Sequence, residues 1–279
     1  MVNNGNIPVI MVKGKTLAEV WERSLIKLWE GGIEIKTEYD NPKDPPSKDC
    51  TMIMVVEDPM AEPRIHRAFP GGLEDLEIYR QEVLYGIHDS WVDLASPTKW
   101  DYTYHERLFH YEVNEKVIDQ INSYLIPRIS GTPYSRRVQA VTWKTWLDPQ
   151  VNDPPCLQRI WIRMPRDGNG NLVLNLHSYW RSRDAFKAAF MNLFAISELQ
   201  KMLAEKISER LRKEVIPGQM VDISDSYHIY GKDFQNPELP QSFQGFLKMY
   251  RERDFNERVW TTGFAEPFFE EVRQKLKKE

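Results

Sequence analysis

The chain has 279 residues, of which 41% are hydrophobic and 28% charged, and a formal charge of −4 at neutral pH. That mixture excludes a disordered polyelectrolyte, because the apolar residues suffice to offset the entropy of folding. The mild negative charge gives no general footprint for a nucleic-acid polymer or an anionic membrane, and no apolar run reaches the roughly 20 residues of a membrane helix.

Residues 1–10 carry Asn3, Asn4 and Asn6 without a basic stretch, so no secretory leader is expected. The first element starts after Thr16, whose hydroxyl can cap a helix while Glu19 reaches back, the spacing of a capping box. Val20, Trp21, Ser24, Leu25, Leu28 and Trp29 then share one helical stripe, and Gly31-Gly32 stops it. Asp40-Asn41-Pro42-Lys43-Asp44-Pro45-Pro46 is a loop by composition. Residues 51–56 read as a buried strand and residues 75–85 as a helix ending at Gly86. Residues 87–113 are rich in Trp and Tyr and poor in helical periods, which predicts a long functional loop with a turn of helix. Residues 114–126 place Val117, Ile118, Ile121 and Leu125 at helical spacing, with Pro127 expected to end the helix.

Strands are expected over 137–143, 157–164 and 172–179, the last two joined by the hairpin signal Asp167-Gly168-Asn169-Gly170-Asn171. A long helix is expected over 183–213, then a turn at Pro217-Gly218 into a strand over 220–230, and an amphipathic tail helix from Pro267. Mingled strands and helices without βαβ regularity predict an α+β fold. The expectation is a single domain over residues 1–279, with a mixed β-sheet and helices packed on one face. The two cysteines, Cys50 and Cys156, form no CxxC pair or disulfide framework, so a reducing cytoplasm is the expected compartment.

Asp153-Pro154-Pro155-Cys156 places a thiol where a proline-stiffened loop enters a strand. Taken alone, such a cysteine is more often a small apolar residue than a nucleophile. Ser135-Arg136-Arg137 upstream and Arg181-Ser182-Arg183-Asp184 downstream add fixed cations, which favour a thiolate. Guanidinium pairs beside a hydroxyl also suit phosphate. Asn192 stands among Phe190, Met191, Leu193 and Phe194; a buried amide ordinarily bonds backbone, but it can also donate to and accept from a planar heterocycle. His228 and Tyr230 alternate onto one strand face, as a core pair or as partners for a sugar hydroxyl. The six His and two Cys show no ligand spacing, so no metal is expected.

The order Arg136-Arg137, Pro155-Cys156, Arg181-Ser182-Arg183-Asp184, Asn192 and His228-Ile229-Tyr230 resembles thymidylate synthase, in a divergent, archaeal-type form, over about residues 100–232. The resemblance implies that Cys156 attacks C6 of a pyrimidine deoxynucleotide monophosphate. C5 then becomes a nucleophile toward one carbon carried by 5,10-methylenetetrahydrofolate or a related tetrahydropterin. It implies that Arg181 and Ser182 bind the 5′-phosphate, and that Arg136 and Arg137 reach that phosphate across a homodimer interface. His228 and Tyr230 would bond the 3′-hydroxyl, Asp184 would hold the pterin, and Tyr104 would assist proton removal from C5. Glu82, with Glu77 as the alternative, would organise water around the base. The Asn192 amide matches uracil, whose N3–H donates and whose O4 accepts; cytosine reverses that pattern, so conversion of dUMP to dTMP is expected.

The chain also departs from the family pattern. Leu157 follows the cysteine in place of His, and Trp180 precedes Arg181 in place of Gln. Residues 187–191 replace a Gly-rich turn and Pro, and Thr37-Glu38-Tyr39-Asp40 stands where a phosphate arginine is usual. Lys277-Lys278-Glu279 lacks an apolar closing residue. The nucleotide half is thus better kept than the cofactor half. A hydroxymethylase acting on dUMP or dCMP, and a nucleotide-binding protein without turnover, are the alternatives.

Overall fold

A computed structural model describes residues 5–94, 96, 98–234 and 242–278; Asn3, Asn4 and Glu279, used above in reading the termini, lie outside the described residues. In chain order come β1 (Val9–Gly14), α1 (Leu17–Gly31), β2 (Ile33–Ile35), β3 (Ser47–Val56), β4 (Ile65–His66) and α2 (Gly72–Tyr85). They are followed by α3 (Tyr104–Phe109), β5 (Tyr111–Val113), β6 (Lys116–Ile118), α4 (Ile126–Gly131), β7 (Gln139–Val141), β8 (Leu157–Arg163) and β9 (Leu172–Asp184). The remainder is α5 (Ala189–Leu211), β10 (Val215–Ile229), α6 (Phe243–Glu252), β11 (Val259–Trp260) and α7 (Thr262–Leu276). These elements fall into two compact units, one of Met1–Glu77, Ser182–Phe194 and Asp222–Glu279, the other of Ile78–Arg181 and Ala195–Val221.

In the first unit β3 lies between β1 and β10. β1 runs parallel to β3, with Val12 opposite Met54, whereas β2 pairs antiparallel to it, so the sheet is mixed, as expected for the α+β class. Alternation along β3 buries Cys50, Met52, Met54 and Val56 on one face. Thr16 caps α1 by accepting the Glu19 amide at 3.2 Å, but the Glu19 carboxylate takes the amide of Lys15 at 2.6 Å, one residue before the cap. Gly32 ends α1 through close approach: a Cβ there would lie 2.6 Å from the Leu28 carbonyl oxygen.

The helix buries Trp21 against the rings of Phe186, Phe190 and Phe246. The Trp21 indole N–H donates to the Ala185 carbonyl at 2.9 Å, which satisfies its one polar atom. Arg183 makes a bidentate pair with Asp222, both side chains essentially sealed from water. β9 therefore continues through residues 183 and 184, and α5 starts at Ala189 rather than at residue 183. Between them Asp184 Oδ1 accepts the amides of Phe186 (3.0 Å) and Lys187 (2.7 Å), a turn that redirects the chain into the helix.

In the second unit the order is β10-β9-β8-β7. β8 and β9 are antiparallel, with Ile160 opposite Ser178, and the expected hairpin joins them. The Asp167 carboxylate accepts the amides of Asn169 and Asn171, and Gly170 takes the left-handed conformation, φ +83°. Residues 111–118 form the β5–β6 hairpin instead of starting a helix, turned by Asn114 and Glu115 at φ 48° and 63°. The expected helix is present only from Ile121, as a π-helical turn (Ile121–Leu125) that runs straight into α4, and Pro127 stands second in α4 rather than ending the run. Pro217 and Gly218 lie inside β10, not before it. A Cβ on Gly218 would come 2.5 Å from Val173 Cγ1, so close strand approach explains the glycine. The buried Gln200 amide of α5 donates to the carbonyls of Leu174 and Gly218. No helix among the described residues is long and apolar enough to cross a membrane.

Arg183→Ala would leave Asp222 buried without its counter-charge, at a cost of about 3–5 kcal/mol, read as a lower urea midpoint followed by tryptophan fluorescence. Asp184 supplies a second test. Burial pushes its carboxyl from 3.8 to about 6, against the lowering effect of the Lys187 amide. The native state therefore holds this proton more tightly than the unfolded chain. The stability tied to the neutral form is fully present below about pH 4 and is lost as pH rises through about 6. Asp184→Asn, which still accepts both amides, should raise the urea midpoint above pH 6, with the gain vanishing below pH 4; a gain independent of pH contradicts the assignment.

Candidate active site

Cys156 stands at the entrance of β8, half-buried, after the buried Pro155. Arg181, from β9, faces this loop. Its backbone amide donates to the Cys156 carbonyl at 2.9 Å, its Nε to the Pro155 carbonyl at 3.1 Å and one Nη to the Pro154 carbonyl at 2.5 Å. Leu157 pairs with Trp180, and the register then shifts before Arg159, so the strand bulges immediately after the cysteine. Gln158, at the bulge, turns its amide back to donate to the Pro155 carbonyl at 2.8 Å.

Tyr104 opens α3 behind the Thr103 cap and is buried. The Leu157 amide donates to its phenol oxygen at 3.2 Å, and its ring packs edge-on to Trp180 and beside Tyr102. Burial, and then the negative charge Cys156 can carry, raise the Tyr104 phenol above its usual value, so it stays protonated at neutral pH. Tyr104 and Glu82 line one cavity of about 380 Å³, together with Lys99, Trp100, Tyr102 and Asp153. Glu82 is buried and accepts from His88 Nδ1 at 3.1 Å. Burial raises its carboxyl despite that bond. His88 in turn stacks on Trp91, ring centroids 3.8 Å apart. Glu77, the alternative, is sealed from water against Arg273 at 3.3 Å, an ion pair within the first unit.

The structure thus gathers Cys156, Arg181, Tyr104 and Glu82 in the second unit. Arg136 and Arg137, also there, expose their side chains; their carbonyls are held by the Trp161 indole and the Tyr124 hydroxyl. Ser182, Asp184, Asn192, His228 and Tyr230 belong to the first unit. Ser182 and Asp184 close β9, and Asn192 is buried in the first turn of α5. Asp184 keeps one oxygen on the Phe186 and Lys187 amides. His228 is buried near the end of β10, its ring 4.6 Å from that of Tyr230.

Several residues here escaped the sequence reading. Tyr102, Trp100 and Asp153 join the cavity from segments whose only mark was aromatic content or closeness to the cysteine. Ser226 donates to Asp49 Oδ2 at 2.7 Å and meets His228 Nδ1 at 3.2 Å. Its position two residues before His228 on one strand was a usable signal. Asp49 carried none. No group of three or more His, Cys, Asp or Glu suited to a metal ion occurs among the described residues.

Residues 69–256 match the family model described as thymidylate synthase. Proteins of Methanosarcina barkeri and Methanosarcina acetivorans that carry the provisional name of thymidylate synthase are each 29% identical over 228 residues, 82% of this chain and 93% of theirs. The fold is similar to that of the thermostable thymidylate synthase A from Bacillus subtilis, with a TM-score of 0.60 at 16% identity over 86% of each chain. The family match spans most of the chain, including the cysteine loop, both ends of β9 and the His228-Ile229-Tyr230 strand, and the chain belongs to the thymidylate synthase family.

Proposed function

We propose that this protein methylates dUMP at C5 to give dTMP through a covalent bond between Cys156 and pyrimidine C6, as a cytoplasmic homodimer and a single thymidylate synthase-like domain. The observation that supports this most is the bracing of the cysteine loop. Arg181 holds the carbonyls of residues 154, 155 and 156, and Tyr104 holds the next amide. A nucleophile kept in place on both sides loses little freedom on reaching an attack geometry.

The reduced folate or related tetrahydropterin supplies the one-carbon unit and the hydride that completes the methyl group. Asp184 fits a pterin edge, because a carboxylate accepts from the N–H groups of an aminopyrimidine. The Cys156 thiolate forms the bond to C6, and the C5=C6 electron pair moves to C5 and O4. C5 can then bond to carbon, after which it must lose its proton. Tyr104, kept protonated by burial, suits a relay that accepts that proton while passing on its own, rather than a phenolate base. Glu82, its carboxyl raised by burial, is fitted to exchange a proton with water near O4. Expulsion of the Cys156 thiolate restores the double bond. Arg181, with Ser182, would hold the 5′-phosphate, joined by the partner copy's Arg136 and Arg137. The Asn192 amide would read uracil, and His228 and Tyr230 would take the 3′-hydroxyl.

Cys156→Ala should abolish tritium release from C5-labelled dUMP, and undiminished release refutes the nucleophile. Tyr104→Phe should lower kcat about a hundredfold or more with little change in KM for dUMP, since it removes a proton relay and not a binding contact. Product mass from dUMP and methylenetetrahydrofolate should rise by about 14 Da; a rise of about 30 Da identifies a hydroxymethylase, and no change favours a binding protein or a different pterin.

A further inference from the structure

His228 stands at the end of a short relay within the first unit. Ser226 has one hydroxyl proton, and Asp49 Oδ2 takes it at 2.7 Å. The Ser226 oxygen can then meet His228 Nδ1, 3.2 Å away, only as an acceptor, so Nδ1 must carry the ring proton. That fixes Nε2 as a bare lone pair. The residue is only 6% exposed, and Nε2 has no hydrogen-bond partner among the described residues. A buried acceptor without a donor is unfavourable and marks a place where an O–H or N–H from a ligand belongs.

We propose that Asp49 and Ser226 are positioning residues that lock His228 in the Nδ1–H tautomer. His228 Nε2 then accepts from a sugar hydroxyl, and a nucleotide in which that hydroxyl is missing is rejected. This rests on the pyrimidine-nucleotide reading above. Burial acts most strongly on His228 and disfavours the charged ring, outweighing Asp49, a hydrogen bond to the Ser226 backbone and Asp40, all of which favour the proton. A neutral ring at pH 7 is the condition under which a tautomer can be selected at all. Tyr230, edge-on to His228 and carrying Lys232 over its ring at 5.1 Å, supplies a neighbouring phenol but no second charge on the imidazole. The order carboxylate, hydroxyl, imidazole uses a residue that can both donate and accept as the coupler. A carbon side chain at 226 would break the coupling without touching the ring.

The test has two readouts on the full chain. Long-range proton–nitrogen spectra, with His228 assigned by its loss in His228→Gln, should show a protonated Nδ1 and a bare Nε2 at pH 7. The signature should be lost or averaged in Ser226→Ala and kept in Ser226→Thr, which retains the hydroxyl. Calorimetry should show dUMP binding about tenfold or more tighter than 2′,3′-dideoxyuridine monophosphate, with the ratio falling to about threefold or less in Ser226→Ala and returning in Ser226→Thr. A protonated Nε2 in the unaltered protein, or a Ser226→Ala variant that keeps both tautomer and ratio, overturns the lock. A protein that shows the lock but binds no dUMP overturns the nucleotide reading instead, and with it the ligand named here. The two failures are therefore distinguishable.

Discussion

The loop that carries Cys156 is held by Arg181 above all, with Gln158 and Tyr104 beside it. The carbonyls of Pro154 and Pro155 precede the β8 pairing, which begins at Leu157, so they are satisfied by side-chain donors. Arg181 reaches both with its guanidinium while its own amide takes the carbonyl of Cys156. Charge-assisted bonds to backbone are among the stronger ones a protein makes, and here they act on consecutive residues. The thiol position thus follows from the β8–β9 register, since Arg181 comes one residue after Trp180, the partner of Leu157. A guanidinium has five N–H groups, so bracing the loop still leaves donors for an anion.

Electrostatics separates carboxylates that look alike in sequence. Glu77 and Glu82 lie on one helix, yet Glu77 faces Arg273 and Glu82 faces His88. Glu77 has a permanent cation as its partner, whereas burial raises the Glu82 carboxyl despite its bond to His88. Asp184 and Asp222 divide similarly: Asp222 is closed off by Arg183, and Asp184 carries amide bonds that only partly offset burial. In each case the residue suited to proton chemistry is the one without an arginine.

Legibility followed the range of the interactions. The Thr16 cap, the 167–171 turn and the apolar stripe of α1 are set by neighbours a few residues apart, and sequence showed them. The β5–β6 hairpin was hidden because its turn uses Asn114-Glu115, not a glycine pair, and because Val117 and Ile118 fall at helical spacing by chance while remaining exposed on a strand. Pro217-Gly218 looked like a turn because the demand that placed glycine there, contact with Val173, comes from another strand. At the site, motif order pointed to Cys156, Arg181, Tyr104 and Glu82, which the second unit contains together. The Arg181 brace and the Asp49 end of the relay depend on neighbours far apart in sequence that no local pattern encodes, whereas Ser226 lies two residues from His228 on one strand.

The interleaving of the compact units has a consequence for biosynthesis. The first unit draws on Met1–Glu77, Ser182–Phe194 and Asp222–Glu279, and the second on Ile78–Arg181 and Ala195–Val221. On the ribosome, β1 and β3 emerge early with one edge unpaired, and the segment of β10 that covers β3 is not made until residues past 222 have been translated. During that interval the nascent chain exposes an unpaired sheet edge beside the apolar face of β3, the kind of surface that chaperones engage. The second unit is completed once Val221 has emerged, so it can close first, the reverse of the order in which the chain begins.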